Sequence, residues 1–405
     1  MMAIHLRNRT VIVILFASIG VLGYGVPTIS GQVPSAIEPV PPGLPFGSIN
    51  DKLLINDVEK PGDGQLRKPR VRFNNLAKFA SKASEVLARY EPNRGVTTVE
   101  SLENVKTAKK FLGSLSEELA ARAVLKLDSK ERSQWTNLPV RPGAGGVRLG
   151  ELNEEQLKLA YDLLHCMLSN DGYEKLRLIM LGDDELIRGR RRPGGIGTEA
   201  FSIMVFGEPH PGRLWAIQFD GHHIGLNIAV KGKQMTLGPS FLGAQPFEFE
   251  KGGHTIRPMV EERDIAFKLA QSLTEEQFRK TLALKQRGKI QAGPGNDGKV
   301  PKPIGISCSE FTNEQQLMLR KLIYQWVGWL PNENASARMH EILDELDEMK
   351  FSWNGPREDG SDVSYTIQST SLLIEFAYQD LGGTPQQHLH TQYRNLKNEY
   401  GKNFR

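Results

Sequence analysis

The 405-residue chain carries 51 lysines and arginines against 47 acidic residues, a formal charge of +4, and is 39% hydrophobic. A balance this close to neutral argues against nucleic acid as the main partner, because phosphate contacts need a clustered excess of Lys and Arg. Its two cysteines, Cys166 and Cys308, are too few to build a disulfide framework in a chain of this length.

Residues 1–30 contain no Asp or Glu, and Arg7 and Arg9 precede the apolar run "VIVILFASIGVLGYG". That run is short for a bilayer span and small residues follow it, the pattern of a secretory signal peptide; an uncleaved N-terminal anchor is the competing reading. Cleavage would lower the charge from +4 to +2 and leave no stable membrane span, so the expected location is periplasmic or extracellular. Residues 31–65 ("VPSAIEPVPPGLPFGS" and its flanks) read as a Pro/Gly-rich linker. The remainder, 66–405, fits one α+β domain with a helical N-terminal block. Helical patterns run over 70–187 and 262–348, and sheet-forming patterns over 200–250 and 350–380. An antiparallel sheet packed with helices is the expected architecture.

In "FNNLAKFASKASEVLARY" the apolar residues Leu76, Phe79, Ala80, Ala83, Val86 and Leu87 recur at three- and four-residue intervals, one face of a helix. "SLENVKTAKKFLGSLSEELAARAVLKL" continues the pattern. Three later helices open on related words, "LNEEQ" (152–156), "LTEEQ" (273–277) and "FTNEQ" (311–315). In each, Asn153, Thr274 or Thr312 caps the helix and Gln156, Gln277 or Gln315 reaches back, with an apolar residue before the cap. Cys166 falls on a helix among Leu157, Ala160, Tyr161 and Leu164, the setting of a buried thiol, and its pairing with Cys308 stays open. The basic cluster "RGRRRPGG" (188–195) fits a solvated loop tip better than an anion clamp, because Pro and Gly surround it.

The strands begin with "AFSIMVF" (200–206), "LWAIQF" (214–219) and "HHIGLNIAV" (222–230). Asp220-Gly221 between alternating runs is a hairpin signal; as the tip, it pairs Phe219 with His222 and Ile217 with Ile224. His222 then turns to the core and His223 to the polar face, which makes His223 the better functional candidate. "GPSFLGAQP" (238–246) reads as a connector whose exposed Phe241 is the candidate for capping a pocket. His210 and His254 sit in turns and read as surface residues, and Trp353 reads as core.

The same alternation holds in the late strands. In "VSYTIQ" and "LLIEFAY" the apolar residues share one face, leaving Gln368 and Glu375 on the other. In "QHLHTQYR" a buried Leu389 sends His388 and His390 together to the opposite side. His223, His388, His390 and Glu375 therefore form a candidate set of ligands for a divalent ion, zinc, iron or copper, with His222 as an alternate. A water-facing polar pocket without metal is the other reading.

"LNEEQLKLAYDLLHCMLSNDGYEKLRLIM", "LWAIQFDGHHIGLNIAV", "GPSFLGAQP", "FSWNG", "YTIQSTSLLIEF" and "HLHTQYRN", in this order within residues 70–405, resemble the DUF3500 family of exported bacterial proteins. The resemblance brings no established activity. Its recurrent Gly-His-His, late-strand Gln and Glu, His-x-His and following Arg correspond to Gly221-His222-His223, Gln368, Glu375, His388-x-His390 and Arg394. The chain departs from the family pattern at "FAYQDLGGTPQQ", where an Asn- and Asp-rich run is usual, and at "NEYG" (398–401) in place of Asp-Phe-Gly.

Two functions from different classes fit these residues. One is a secreted metal-dependent hydrolase in which Arg394 neutralises developing charge while Gln368 or Asn227 orients substrate. With iron or copper the same ligands serve oxidation. The other is a non-catalytic extracytoplasmic protein that binds a small molecule or saccharide. A structural protein whose histidines merely satisfy hydrogen bonds is the plainest alternative.

Overall fold

The computed structural model describes Leu87 and residues 101–404, apart from 140–144, 190–193, 283–287 and 381–383. The expected signal segment, the linker and all but Leu87 of the 73–90 helix lie outside these residues, as does the middle of the basic cluster. Leu87 itself is helical and fully buried.

Helices α1 (Ser101–Gly113) and α2 (Glu117–Ala123) form where the periodicity places them. Two short strands, β1 (Val124–Leu125) and β2 (Val147–Arg148), interrupt the helical block before α3 (Glu154–Met167) and α4 (Asn170–Ile187). All three capping boxes form in full. Asn153 and Gln156 exchange two 2.9 Å hydrogen bonds at the start of α3. After α5 (Val260–Ser272), Thr274 and Gln277 open α6 (Glu275–Thr281), and Thr312 and Gln315 open α7 (Asn313–Val327) in the same way. Caps of this kind stabilise a helix by about 1 kcal/mol each. The amide groups of Gln277 and Gln315 also pair with each other, at 3.0 and 3.1 Å, tying two helix starts together. Helix α8 (Asn332–Leu343) completes the set, and no described helix is long and apolar enough to cross a membrane.

The remaining strands are β3 (Ser202–Phe206), β4 (Trp215–Gly221), β5 (Ile224–Lys231), β6 (Gln234–Leu237), β7 (Ser240–Ala244), β8 (Phe249–Lys251) and β9 (His254–Ile256). Later come β10 (Ile306–Ser307), β11 (Lys350–Asn354), β12 (Ser364–Gln368), β13 (Leu372–Tyr378) and β14 (Leu389–Asn395). Twelve of them build one sheet in the order β1-β3-β4-β5-β7-β14-β13-β12-β11-β10, with β2 on β3 and β6 on β5; β8 and β9 pair separately. Among the described strands only β1 and β3 pair in parallel. The fold is α+β, as the pattern of elements implied.

Register and alternation give the sheet two unlike faces. Ile217, Phe219, Ile224, Leu226, Leu242, Leu389, Tyr393, Ile374, Phe376 and Tyr365 share one of them and are buried. Helices cover that face: Tyr365 donates to the Glu262 carbonyl of α5, Trp326 of α7 donates to Thr391, and Arg338 of α8 donates to Tyr393. Gln218, Asp220, Asn227, His390, Gln392, Arg394, Glu375 and Gln368 occupy the opposite face. A slip of one residue would exchange the two sets, and each large apolar side chain lost from the core costs about 1.5–3 kcal/mol.

Four expectations need correction. The tip of the β4–β5 hairpin is His222-His223, not Asp220-Gly221: Gly221 pairs with Ile224, Asp220 with Gly225 and Phe219 with Leu226. Gly221 is a close-packing glycine, since a Cβ there would lie 2.2 Å from the Phe201 ring. The parity of the hairpin survives because the shift is two residues. "GPSFLGAQP" is no connector; it contains β7, and Phe241 is only 2% exposed. The 262–348 helical block breaks at 288–305, where Pro294, Pro301 and Pro303 lie among glycines. The late sheet region runs on to Asn395 through β14. Cys166 and Cys308 are both free, with burial pushing each thiol up to about 12. Trp353 is core and His254 is exposed, as read from the sequence.

Candidate metal centre

As turn residues, His222 and His223 escape strand alternation, so parity does not orient them. Both are buried, His223 fully and His222 to 9% exposure. His223 adopts φ 68°, the left-handed region, which costs an L-residue with a Cβ about 1–2 kcal/mol. Its backbone is held there by two hydrogen bonds. The His223 amide donates to the Asn137 carbonyl at 3.2 Å, and the Gly243 amide donates to the His223 carbonyl at 2.8 Å.

His388 ends the short turn Pro385–Gln387 and His390 is the second residue of β14, so the H-x-H spacing does bring both rings to one side. Their Nε2 atoms lie 3.0 Å apart. Sheet order supplies the third ring: β5 neighbours β7, which neighbours β14, and Gly243 of β7 sits opposite His390. A Cβ on Gly243 would come within 2.8 Å of His223 Cδ2 and 3.0 Å of His390 Cδ2. Its missing side chain is what lets the hairpin tip reach β14. His223 Nε2 thereby lies 2.9 Å from His388 Nε2, and one nitrogen from each of His223, His388 and His390 falls within 4.8 Å of the others. Phe241 sets its ring edge-on to His390, centroids 4.8 Å apart.

Behind the three histidines stands Asp183 of α4, completely buried. Its Oδ1 lies 2.8 Å from His222 Nδ1 and 3.2 Å from His223 Nδ1. Burial pushes the Asp183 carboxyl up to about 6, against the pull of His222. Burial, reinforced by the neighbouring imidazoles, holds His223 and His390 well below the usual histidine range. Both shifts favour the neutral ring, the form whose nitrogen lone pair binds metal.

The tautomers follow from these contacts. With His223 Nδ1–H donating to Asp183, its Nε2 is an acceptor facing His388 Nε2. A single proton on His388 Nε2 bonds well to only one of its two neighbours, His223 or His390. A cation at the centre of the three nitrogens would serve all of them. Separations of 2.9 and 3.0 Å need to open by only a few tenths of an ångström for metal–nitrogen distances of about 2.0–2.1 Å.

The other residues singled out in the sequence lie on the same face but take other partners. The Glu375 carboxylate accepts the Gln291 and Ala292 amides at 3.0 and 2.9 Å and does not join the histidine group. Gln368 donates to the Pro301 carbonyl at 2.7 Å. Arg394 forks onto Glu399 and donates to the Lys299 carbonyl at 2.6 Å. Asn227 donates to the Pro239 carbonyl at 2.8 Å and accepts from Gln218 at 2.7 Å. The first three fasten residues 291–301 across the polar face as a strap. Two contributors escaped the sequence reading. Asp183 left one sign, a carboxylate spaced three and four residues from Met180 and Ile179 on the buried stripe of α4. Gly243 left none.

Fold and site together define an α+β protein with a buried cluster of three histidines backed by an aspartate. The chain belongs to the DUF3500 family, described as proteins of unknown function, whose profile matches residues 97–402. No curated protein and no solved structure matches it.

Proposed function

We propose that the protein is an exported, metal-dependent hydrolase whose His223, His388 and His390 hold one divalent ion through their Nε2 atoms. The observation that carries this reading is the convergence of those three nitrogens, with His388 Nε2 at 2.9 and 3.0 Å from its neighbours. An ion held by these three imidazoles would supply Lewis-acid chemistry, activating a water near neutral pH and polarising a carbonyl.

The protein's own groups prepare this arrangement. Asp183 fixes the His223 tautomer and aims its Nε2, as carboxylates behind metal-binding histidines commonly do. The left-handed backbone of His223 is local strain of the kind that collects at functional sites. Phe241 walls the His390 side and helps exclude water. Arg394, Gln368 and Asn227, each engaged within the fold, fit positioning roles better than substrate contact. The acid-free, apolar N-terminal run supports export.

A non-catalytic binding protein for a small polar molecule or saccharide is the second reading, favoured by the burial of His223 and His388, which leaves a substrate little surface. Metal content of the purified protein, with turnover of a panel of small esters and amides before and after chelation, tests both. Bound metal with metal-dependent hydrolysis supports the hydrolase. Bound metal without turnover supports the binder, and absence of metal removes the centre itself.

A further inference from the structure

A second group of ligand atoms shares a residue with the first. Asp183, His222 and His223 bring a carboxylate oxygen and two imidazole nitrogens within 4.8 Å of one another, the spacing that the three-histidine group meets. His223 belongs to both: its Nε2 faces His388 and its Nδ1 faces Asp183. We propose that the cluster holds two divalent ions, with the His223 ring bridging them. This rests on the three-histidine centre and deepens it.

Hydrogen bonding alone leaves two features of this group unexplained. Both imidazoles crowd onto one oxygen, Oδ1, at 2.8 and 3.2 Å, while Oδ2 is buried without a well-formed hydrogen bond, the Gly197 amide being a further donor near this carboxyl. A carboxylate that served only to orient two rings would offer one oxygen to each. An ion between Oδ1 and the two Nδ1 atoms draws on the whole carboxylate. His222 is the second feature. The three-histidine group does not include it, yet its ring lies against His223, centroids 3.7 Å apart, with Nδ1 turned to the same oxygen. One aspartate contact suffices to orient His223, so His222 is superfluous to a one-ion centre and a ligand in a two-ion centre.

Protons balance without any further reagent. His222 moves its proton from Nδ1 to Nε2, leaving the Nδ1 lone pair for the metal. His223 releases its Nδ1 proton to water and binds as an imidazolate, one ion on each nitrogen. Loading the second ion therefore releases one proton. The strained turn fits this role, because it presents both nitrogens of one ring to opposite sides. The class of ligand is a borderline metal that accepts mixed N and O donors, Cu2+ or Zn2+.

Equilibrium dialysis of the full-length mature protein against Cu2+ or Zn2+, followed by elemental analysis, reads the stoichiometry directly. The expected result is two ions per chain, falling to one in His222→Ala. With Cu2+, magnetic coupling through the bridge should make the electron-spin signal smaller than the copper content, and His222→Ala should restore one uncoupled spin. One ion in both proteins, with a full uncoupled signal, overturns the second site and leaves the three-histidine centre standing. No retained ion overturns both. Should His222→Ala prove unstable, the wild-type ratio and its spin count still decide the matter.

Discussion

Two regions of the same polar sheet face meet opposite ends. Around Glu375, the groups that meet the strap find complementary partners: the carboxylate takes two amide protons, Gln368 and Arg394 donate to carbonyls, and residues 291–301 close above them, while the neighbouring Gln392 keeps a buried, unpaired Oε1. At the histidine end the groups face one another instead, nitrogen against nitrogen, with fewer protons than contacts. Strand parity delivered the first set and His390 to this face, and the β4–β5 turn delivered His223. What separates them is the kind of partner: Glu375, Gln368 and Arg394 are engaged by the chain itself, whereas the histidine nitrogens are arranged so that a cation could serve all three.

Substitutions should divide along the same line. The largest effect is expected from a combined His223→Ala, His388→Ala, His390→Ala variant, which should retain no metal, a greater loss than the roughly 10–100-fold that removal of an outer partner causes. Elemental analysis checks it, and retained stoichiometric metal would dissolve the contrast. Glu375→Ala should do the opposite, keeping the metal while leaving two buried amides unpaired. A stability loss of about 2–4 kcal/mol, read by denaturant unfolding, and faster hydrogen exchange at Gln291 and Ala292 are expected. Loss of metal in that variant would mean that the two regions are one site. Gly243→Ala strains the junction between the hairpin tip and β14. It should cost about 1–3 kcal/mol and weaken metal binding, and unchanged affinity would show that the rings do not depend on that gap.

The smallest effect concerns pH. Burial raises the Asp220 carboxyl well above the usual carboxylate range, against one hydrogen bond from the Thr136 amide. Because the folded pKa exceeds the unfolded value of about 3.9, this group's contribution is fully present below that pH. It is lost as pH rises toward the folded pKa. Asp220→Asn has nothing to ionise there, so its melting temperature should gain on that of the parent as pH rises above about 4. Parallel melting curves across that range would remove the assignment.

Much of the fold was legible because its signals are local. The three capping boxes needed only five residues each, and the two-residue period of "LLIEFAY" and "HLHTQYR" gave each face its residues. His388 and His390 meet for the same reason. Their meeting with His223 depends on β7 lying between β5 and β14, a long-range neighbourhood that no window of sequence contains. The same distance hid Asp183, which α4 carries to the hairpin tip from about forty residues upstream. Asp220-Gly221 misled for a different reason: a glycine that makes room for the Phe201 ring looks, in sequence, like a glycine that makes a turn. The strap offered no periodicity to read, since its prolines and glycines form no repeating face and its order comes from Glu375, Gln368 and Arg394.

X-ray absorption at the metal edge of zinc-loaded protein decides whether the three rings bind an ion. Imidazole nitrogens at about 2.0–2.1 Å are expected as the main shell, three per ion at the first site, with the imidazole count falling in His388→Ala. A shell of oxygen alone, or a spectrum unchanged by that substitution, would contradict that expectation.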